Sequence, residues 1–254
     1  MKLASWNVNS LKMRMPRVLE LLELHQPDLF LMQETKCEPD AFPLLELEAA
    51  GYRAAHHSAG RWAGVALLAR GELAEVCAGL AGEPSRDEAR WLEASVDGLC
   101  AVSVYVPNGR SPDSPFYEDK LRFLEAMAER IAELSGEPLV VAGDFNVCPT
   151  DLDVYAPAAF VGATHVTPPE RERFRALLEA GTVDAFRQLH PDEPGFTWWD
   201  IRQGHFHRKM GLRIDAFLLS PPVAERLVEC SIDRNFRKGP KPSDHAPLLC
   251  ELRR

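Results

Sequence analysis

Six apolar runs in this chain begin or end on a carboxylate, an amide or a histidine. That pattern restricts the fold more than any other feature. Leu3–Trp6 runs into Asn7 and Asn9, and Leu29–Gln33 into Glu34. Val102–Val104 runs into Tyr105-Val-Pro-Asn108, and Leu139–Ala142 into Gly143-Asp-Phe-Asn146. Arg213-Ile214 leads to Asp215, which an apolar run follows, and Ser243-Asp-His-Ala-Pro247 precedes the last apolar run. Singly, each has a plain structural reading: Asp and Asn after a strand make turns, a loop Glu is solvated, and a Tyr or His sits satisfied in a core. Together they demand strands whose polar ends meet, because an apolar strand entering a core has no use for acids that are not paired or bound.

The strand-like runs are Leu3–Val8, Leu29–Gln33, Val65–Ala69, Trp91–Val96, Cys100–Val106, Leu139–Ala142, Ile214–Leu219 and Leu248–Leu252. Helical spacing of apolar residues predicts helices over Arg14–Leu24, Pro115–Leu134 and Pro169–Ala180. Many strands and few long helices favour two packed sheets flanked by helices over a doubly wound parallel sheet. Neither a Gly-x-Gly-x-x-Gly turn nor a Gly-Lys-Ser/Thr loop is present, which argues against nucleotide-cofactor chemistry. No repeat, low-complexity tract or linker breaks the 254 residues, a length that suits one large α/β domain or two small ones.

The formal charge of −9 argues against a polyanionic partner until its distribution is considered. Arg202, His205, His207, Arg208, Lys209 and Arg213 form one acid-free basic run, and Arg234, Arg237, Lys238 and Lys241 a second. Each could be a solvated loop, but both abut candidate acids, where they could hold phosphates. The six cysteines include no Cys-x-x-Cys pair and read as reduced thiols of a cytoplasmic protein. The first residues carry no signal-peptide pattern, and no apolar run approaches the roughly 20 residues that span a bilayer. Carboxylates and amides at several strand ends, with one imidazole and no thiolate set, make a hard oxygen cage suited to Mg²⁺ rather than zinc.

The segments Leu3-Ala-Ser-Trp-Asn-Val-Asn, Met32-Gln-Glu-Thr-Lys36, Tyr105-Val-Pro-Asn108, Gly143-Asp-Phe-Asn146, Gly211-Leu-Arg-Ile-Asp215 and Ser243-Asp-His-Ala-Pro247 resemble the motif series of the exonuclease III family. These are apurinic/apyrimidinic (AP) endonucleases within the endonuclease/exonuclease/phosphatase superfamily. The match runs in order from residue 3 to residue 252. Gly-Asp-x-Asn and Ser-Asp-His belong to the whole superfamily, whereas Tyr-Val-Pro-Asn, the Trp198-Trp199 pair and Gly-Leu-Arg-Ile-Asp are particular to its DNA-repair branch.

The resemblance implies a DNase I-like α/β fold: a four-layer sandwich of two facing mixed sheets with helices outside. It implies an Mg²⁺-dependent hydrolase, with Mn²⁺ as a substitute. Such an enzyme cuts duplex DNA 5′ of abasic sites, digests it 3′→5′ or removes 3′ blocking groups, as a monomer in the cytoplasm that joins the nucleoid during repair. The implied catalytic residues are Tyr105, Asp144, Asn146, Asp215 and His245. Asp144 would activate or orient water, or donate the proton; Asp215 would orient His245; and a positive site could lower the Tyr105 phenol. The implied metal ligands are Glu34 first, then Asn7, Asp144, Asn146, Asp244 and His245, with Asn9 nearby. DNA would meet Asn108, Arg110, Trp198, Trp199, Arg202, Arg208, Lys209, Leu212 and Arg213. Leu212 stands where some relatives carry a tryptophan lining the abasic pocket, which leaves the balance of endonuclease and exonuclease activity open. The superfamily motifs alone also permit an RNA deadenylase or a lipid phosphatase. An inactive DNA-binding scaffold fits less well, because clustered carboxylates would only repel phosphate.

Overall fold

The computed structural model describes residues 1–84, 87–134 and 136–253. The elements follow one another as β1 (Lys2–Asn7), α1 (Leu11–His25), β2 (Leu29–Gln33), α2 (Leu44–Ala49), β3 (Arg53–His57), β4 (Val65–Ala69), β5 (Ala74–Ala78), β6 (Trp91–Val96) and β7 (Leu99–Tyr105). Then come α3 (Pro115–Leu134), β8 (Leu139–Asp144), α4 (Pro168–Glu179), β9 (Val183–Asp184), α5 (Ala185–Leu189), β10 (Asp215–Leu219), α6 (Pro221–Ala224), β11 (Leu227–Ile232) and β12 (Leu248–Leu252). One sheet has the order β11-β12-β1-β2-β4-β3 and the other β5-β6-β7-β8-β10-β9. Each holds one parallel pair, β1 with β2 and β7 with β8, and each pair is joined through a long helix, α1 or α3. A parallel pair needs such a crossover, and the helix covers the outer face of its own sheet.

The three main apolar clusters define four layers. Leu3, Leu31, Leu67, Ala101, Val140, Ala142 and Phe217 fill the space between the sheets. Val102, Val104 and Val141 pack outward onto Phe123, Met127 and Phe174 of α3 and α4. Ala4, Trp6, Phe30 and Met32 pack outward onto Val18 and Leu21 of α1. Successive side chains of a strand point to opposite faces. The inner set therefore continues to the strand ends, and Asn7, Tyr105, Asp144 and Asp215 share its parity. The inner layer already turns polar one step earlier. There Gln33 Nε2 donates to Ser103 Oγ across the sheets at 3.1 Å, and Ser103 Oγ donates to the Met32 carbonyl at 2.9 Å.

The eight strands and three long helices expected from sequence are present, with ends shifted by at most three residues. The four strands without an apolar signature, β3, β5, β9 and β11, are the four sheet edges. β5 is exposed along its whole length. Among the described residues no helix is long and apolar enough to cross a membrane.

Candidate active site

The polar strand ends meet at one end of the sandwich. β8 pairs with both flanking strands so that Asp144 lies opposite Tyr105 on one side and Asp215 on the other. Gly143 makes this register attainable: a Cβ there would stand 1.9 Å from the Val104 carbonyl oxygen, at φ +156°. Only glycine allows the two backbones to come so close. Beyond the strand the chain turns at Asn146, φ +53°, a conformation that Asn tolerates better than most residues.

Asn7 ties the two sheets together. Its Nδ2 donates to Glu34 Oε1 at 2.8 Å and to Asp144 Oδ2 at 2.9 Å. The other Asp144 oxygen accepts from the Asn146 backbone amide at 2.9 Å. His245 lies with Nδ1 2.8 Å from Asp215 Oδ2 and Nε2 3.7 Å from Asp144 Oδ2. Trp6 Nε1 donates to the His245 carbonyl at 2.9 Å and fixes the backbone of that loop.

The electrostatics follow from burying three acids around one imidazole. Burial pushes the Asp144 carboxyl up to about 8; His245 opposes this, and Asp215 and Glu34 add to it. Burial alone would depress His245, but Asp215 and then Asp144 raise it to about 10. The Tyr105 phenol moves well above its usual value, first by burial and then by Glu34. Burial and the neighbouring carboxylates thus act against the lowering that a positive site would bring. Arg90 stacks over the ring at 4.6 Å but only partly offsets them.

Glu34, Asp144 and His245 each offer one ligand atom, and these atoms all lie within 4.8 Å of one another. Asp215 Oδ1 is buried with no hydrogen-bond partner among the described residues. This excess of hard oxygen and negative charge fits a divalent cation such as Mg²⁺. The other expected ligands are differently engaged. The Asn7 amide nitrogen faces the two acids, and its Oδ1 accepts from the Asn9 amide at 3.0 Å. Asn146 Oδ1 accepts from Asn108 Nδ2 at 3.2 Å. Asp244 accepts from Asn9 Nδ2 at 2.9 Å and from Trp198 Nε1 at 3.0 Å.

The residues expected to meet DNA divide into two groups. Asn108, Arg110, Arg202, Arg208 and Lys209 are exposed, and Trp198 is half-buried. Arg110 stacks on Phe116, and Arg202 pairs with Asp200. Arg213 is corrected: it is 1% exposed, with Nε 2.6 Å from Asp153 and Nη1 2.8 Å from Asp184, so it cannot reach a phosphate. Trp199 is also corrected: it is fully buried, against Phe206, Arg234 and Arg237. Leu212 is buried and bridged to Trp198, so it could support a pocket wall but not form its surface.

Sequence reasoning passed over several residues here. Lys36 pairs with Glu34 at 2.6 Å and donates to Asn9 Oδ1 at 2.6 Å. Trp62, 74% exposed, lines a cavity of about 360 Å³ with Arg90, Tyr105, Asn108 and Arg110. Lys120, Glu170 and His165 lie behind Asn146. Lys36 stands inside the Met32–Lys36 motif and was legible there; Glu170 stands in the capping-box pattern Thr167-x-x-Glu170, which marks a helix start rather than a site, and the others are single residues with no local pattern.

The sequence pattern of the Endonuclease/Exonuclease/phosphatase family matches residues 4–245. The exodeoxyribonuclease III of Haemophilus influenzae is 32% identical over 272 residues, covering 100% of both chains. A Neisseria 3′ phosphatase, solved with a product DNA hairpin, superposes with TM-score 0.97 at 37% identity over 100% of each chain. An AP endonuclease from Archaeoglobus fulgidus superposes with TM-score 0.96 at 35% identity over 99% of each chain.

Proposed function

This chain belongs to the endonuclease/exonuclease/phosphatase family, and from that premise we propose that it is a DNA-repair nuclease, an Mg²⁺-dependent hydrolase of phosphodiesters in duplex DNA. It cuts 5′ of abasic sites and acts at 3′ ends, digesting 3′→5′ and removing blocking groups. The near-equal likeness to a 3′ phosphatase and to an AP endonuclease supports both activities at one site. Mn²⁺ substitutes for Mg²⁺. Residues 1–254 act as one domain, as a monomer in the cytoplasm that joins the nucleoid during repair.

The observation that carries the reading is the convergence of Glu34, Asp144 and the Asp215–His245 pair on one buried point. Glu34 would hold the cation, which would supply Lewis-acid polarisation of the scissile phosphate there. Asp215 fixes the His245 tautomer, and the acids around the ring keep it protonated, so Nε2 donates to a phosphoryl oxygen. Asp144 takes the proton of the attacking water, and burial favours its accepting one. Asn146 and Asn108, joined through their amides, orient the phosphate. Tyr105, kept protonated, donates a hydrogen bond to it. Exposed Arg208, Lys209 and Arg110 hold the DNA backbone.

The test offers a duplex with one synthetic abasic site, a 3′-phosphate duplex, a blunt duplex, poly(A) and a phosphoinositide, each with and without Mg²⁺. Turnover of the DNA substrates only with metal is expected. Turnover of poly(A) or the phosphoinositide with none of the duplexes would overturn the reading.

A further inference from the structure

Behind Asn146 lies a buried ionic cluster that the mechanism above does not use. Lys120 of α3 and Glu170 of α4 are both fully buried and ion-paired to each other. Lys120 Nζ also donates to the Asn146 carbonyl at 2.6 Å and to the Asn108 carbonyl at 3.3 Å. His165 Nδ1 lies 2.5 Å from the same Asn146 carbonyl. Glu170 accepts from the Thr164 hydroxyl at 2.8 Å and from the His165 amide at 2.9 Å, and its second oxygen closes the capping box with Thr167.

A buried ion pair is a poor source of stability, because taking both charges out of water offsets most of their attraction. Two apolar side chains would join α3 to α4 as well. What apolar groups cannot do is gather carbonyl oxygens. Here a single ammonium gathers those of Asn108 and Asn146, whose side chains meet at 3.2 Å on the side of the active site. Asn146 adopts a positive φ that its surroundings must hold in place. Gly109, at φ +84°, has the same neighbour: a Cβ there would come within 3.0 Å of Lys120 Cδ.

We propose that Lys120 and Glu170 are positioning residues for the phosphodiester reaction, holding the backbones of Asn108 and Asn146 so that both amides face the phosphate. The inference rests on the phosphodiesterase reading. A displacement of these amides of about 1 Å is enough to cost on the order of 10²-fold in rate.

The test replaces the pair by the neutral Lys120→Met/Glu170→Gln, which leaves no uncompensated charge and retains a capping side chain. With the abasic duplex, kcat should fall about 10²-fold while KM changes less than about threefold. The same double substitution made on an Asn108→Ala/Asn146→Ala background should cost less than about threefold more, because residues acting as one unit are not additive. If the neutral pair does not fold, Lys120→Arg is put through the same cycle; it keeps the charge opposite Glu170 but moves the donor away from the Asn146 carbonyl. Unchanged kcat in a folded variant, or an equal loss on both backgrounds, would overturn the proposal. Wild-type protein is the control: if it leaves every duplex intact, the functional reading fails rather than the positioning role.

Discussion

Asp144 has both oxygens engaged by neighbours within the fold, one by the Asn146 amide and one by Asn7. Asp144→Asn keeps the shape and removes the proton acceptor. It should lower kcat on the abasic duplex by at least about 10³-fold, with duplex affinity by fluorescence anisotropy within about threefold. Near-native turnover would refute the role given to Asp144. Asp215→Asn acts one residue further back. An amide opposite His245 Nδ1 favours the wrong tautomer, and single-turnover incision should slow by about 10²- to 10⁴-fold. Both residues stand in short motifs and were legible in the sequence. The upward shift of the Tyr105 phenol was not, because it depends on burial and on Glu34, which lies 71 positions away.

The segment leading into β10 is held by Arg213, whose guanidinium joins Asp153 to Asp184; Asp153 is shared with Arg187. Its basic neighbours in the sequence suggested a DNA contact, yet the side chain turns inward. Arg213→Met leaves two buried carboxylates short of a partner and should destabilise by about 3–5 kcal/mol in urea unfolding at pH 7. Burial raises the Asp153 carboxyl, but Arg213 outweighs it, so the folded value lies below the usual one. Such a group contributes stability above its unfolded value, near 3.9, and that contribution is lost as pH falls through the lower folded value. The gap in urea midpoint between wild type and Arg213→Met should therefore narrow from pH 5 to about pH 3. A gap that stays constant would remove Asp153 from the account. The edge strands belong at this scale too. A central strand is covered on both faces and reads as an apolar run, as in Leu29–Gln33. An edge such as Ala74–Ala78 is exposed and carries no such run.

Across the whole molecule, a chain of charge −9 carries two basic runs, Arg202–Arg213 and Arg234–Lys241. The fold makes them neighbours, with Arg234 and Arg237 stacking over Trp199 and Phe206, which flank and enter the first run. Arg208→Ala and Lys209→Ala should each weaken duplex binding similarly across sequences and reduce the slope of log K against log salt by about 1. An unchanged slope would remove these side chains from the interface. Excess EDTA should abolish incision, and added Mg²⁺ should restore it; activity that survives chelation would sink the metal assignment. The order of the motifs, the strands behind them and the choice of hard oxygen chemistry follow from the sequence alone, because period-two burial and the residue types at strand ends are local properties. Which oxygens meet, that Arg213 and Trp199 are buried, and that Lys120 reaches Asn146 were decided only by the tertiary structure. Each depends on contacts between segments far apart in the chain, and no local pattern records them.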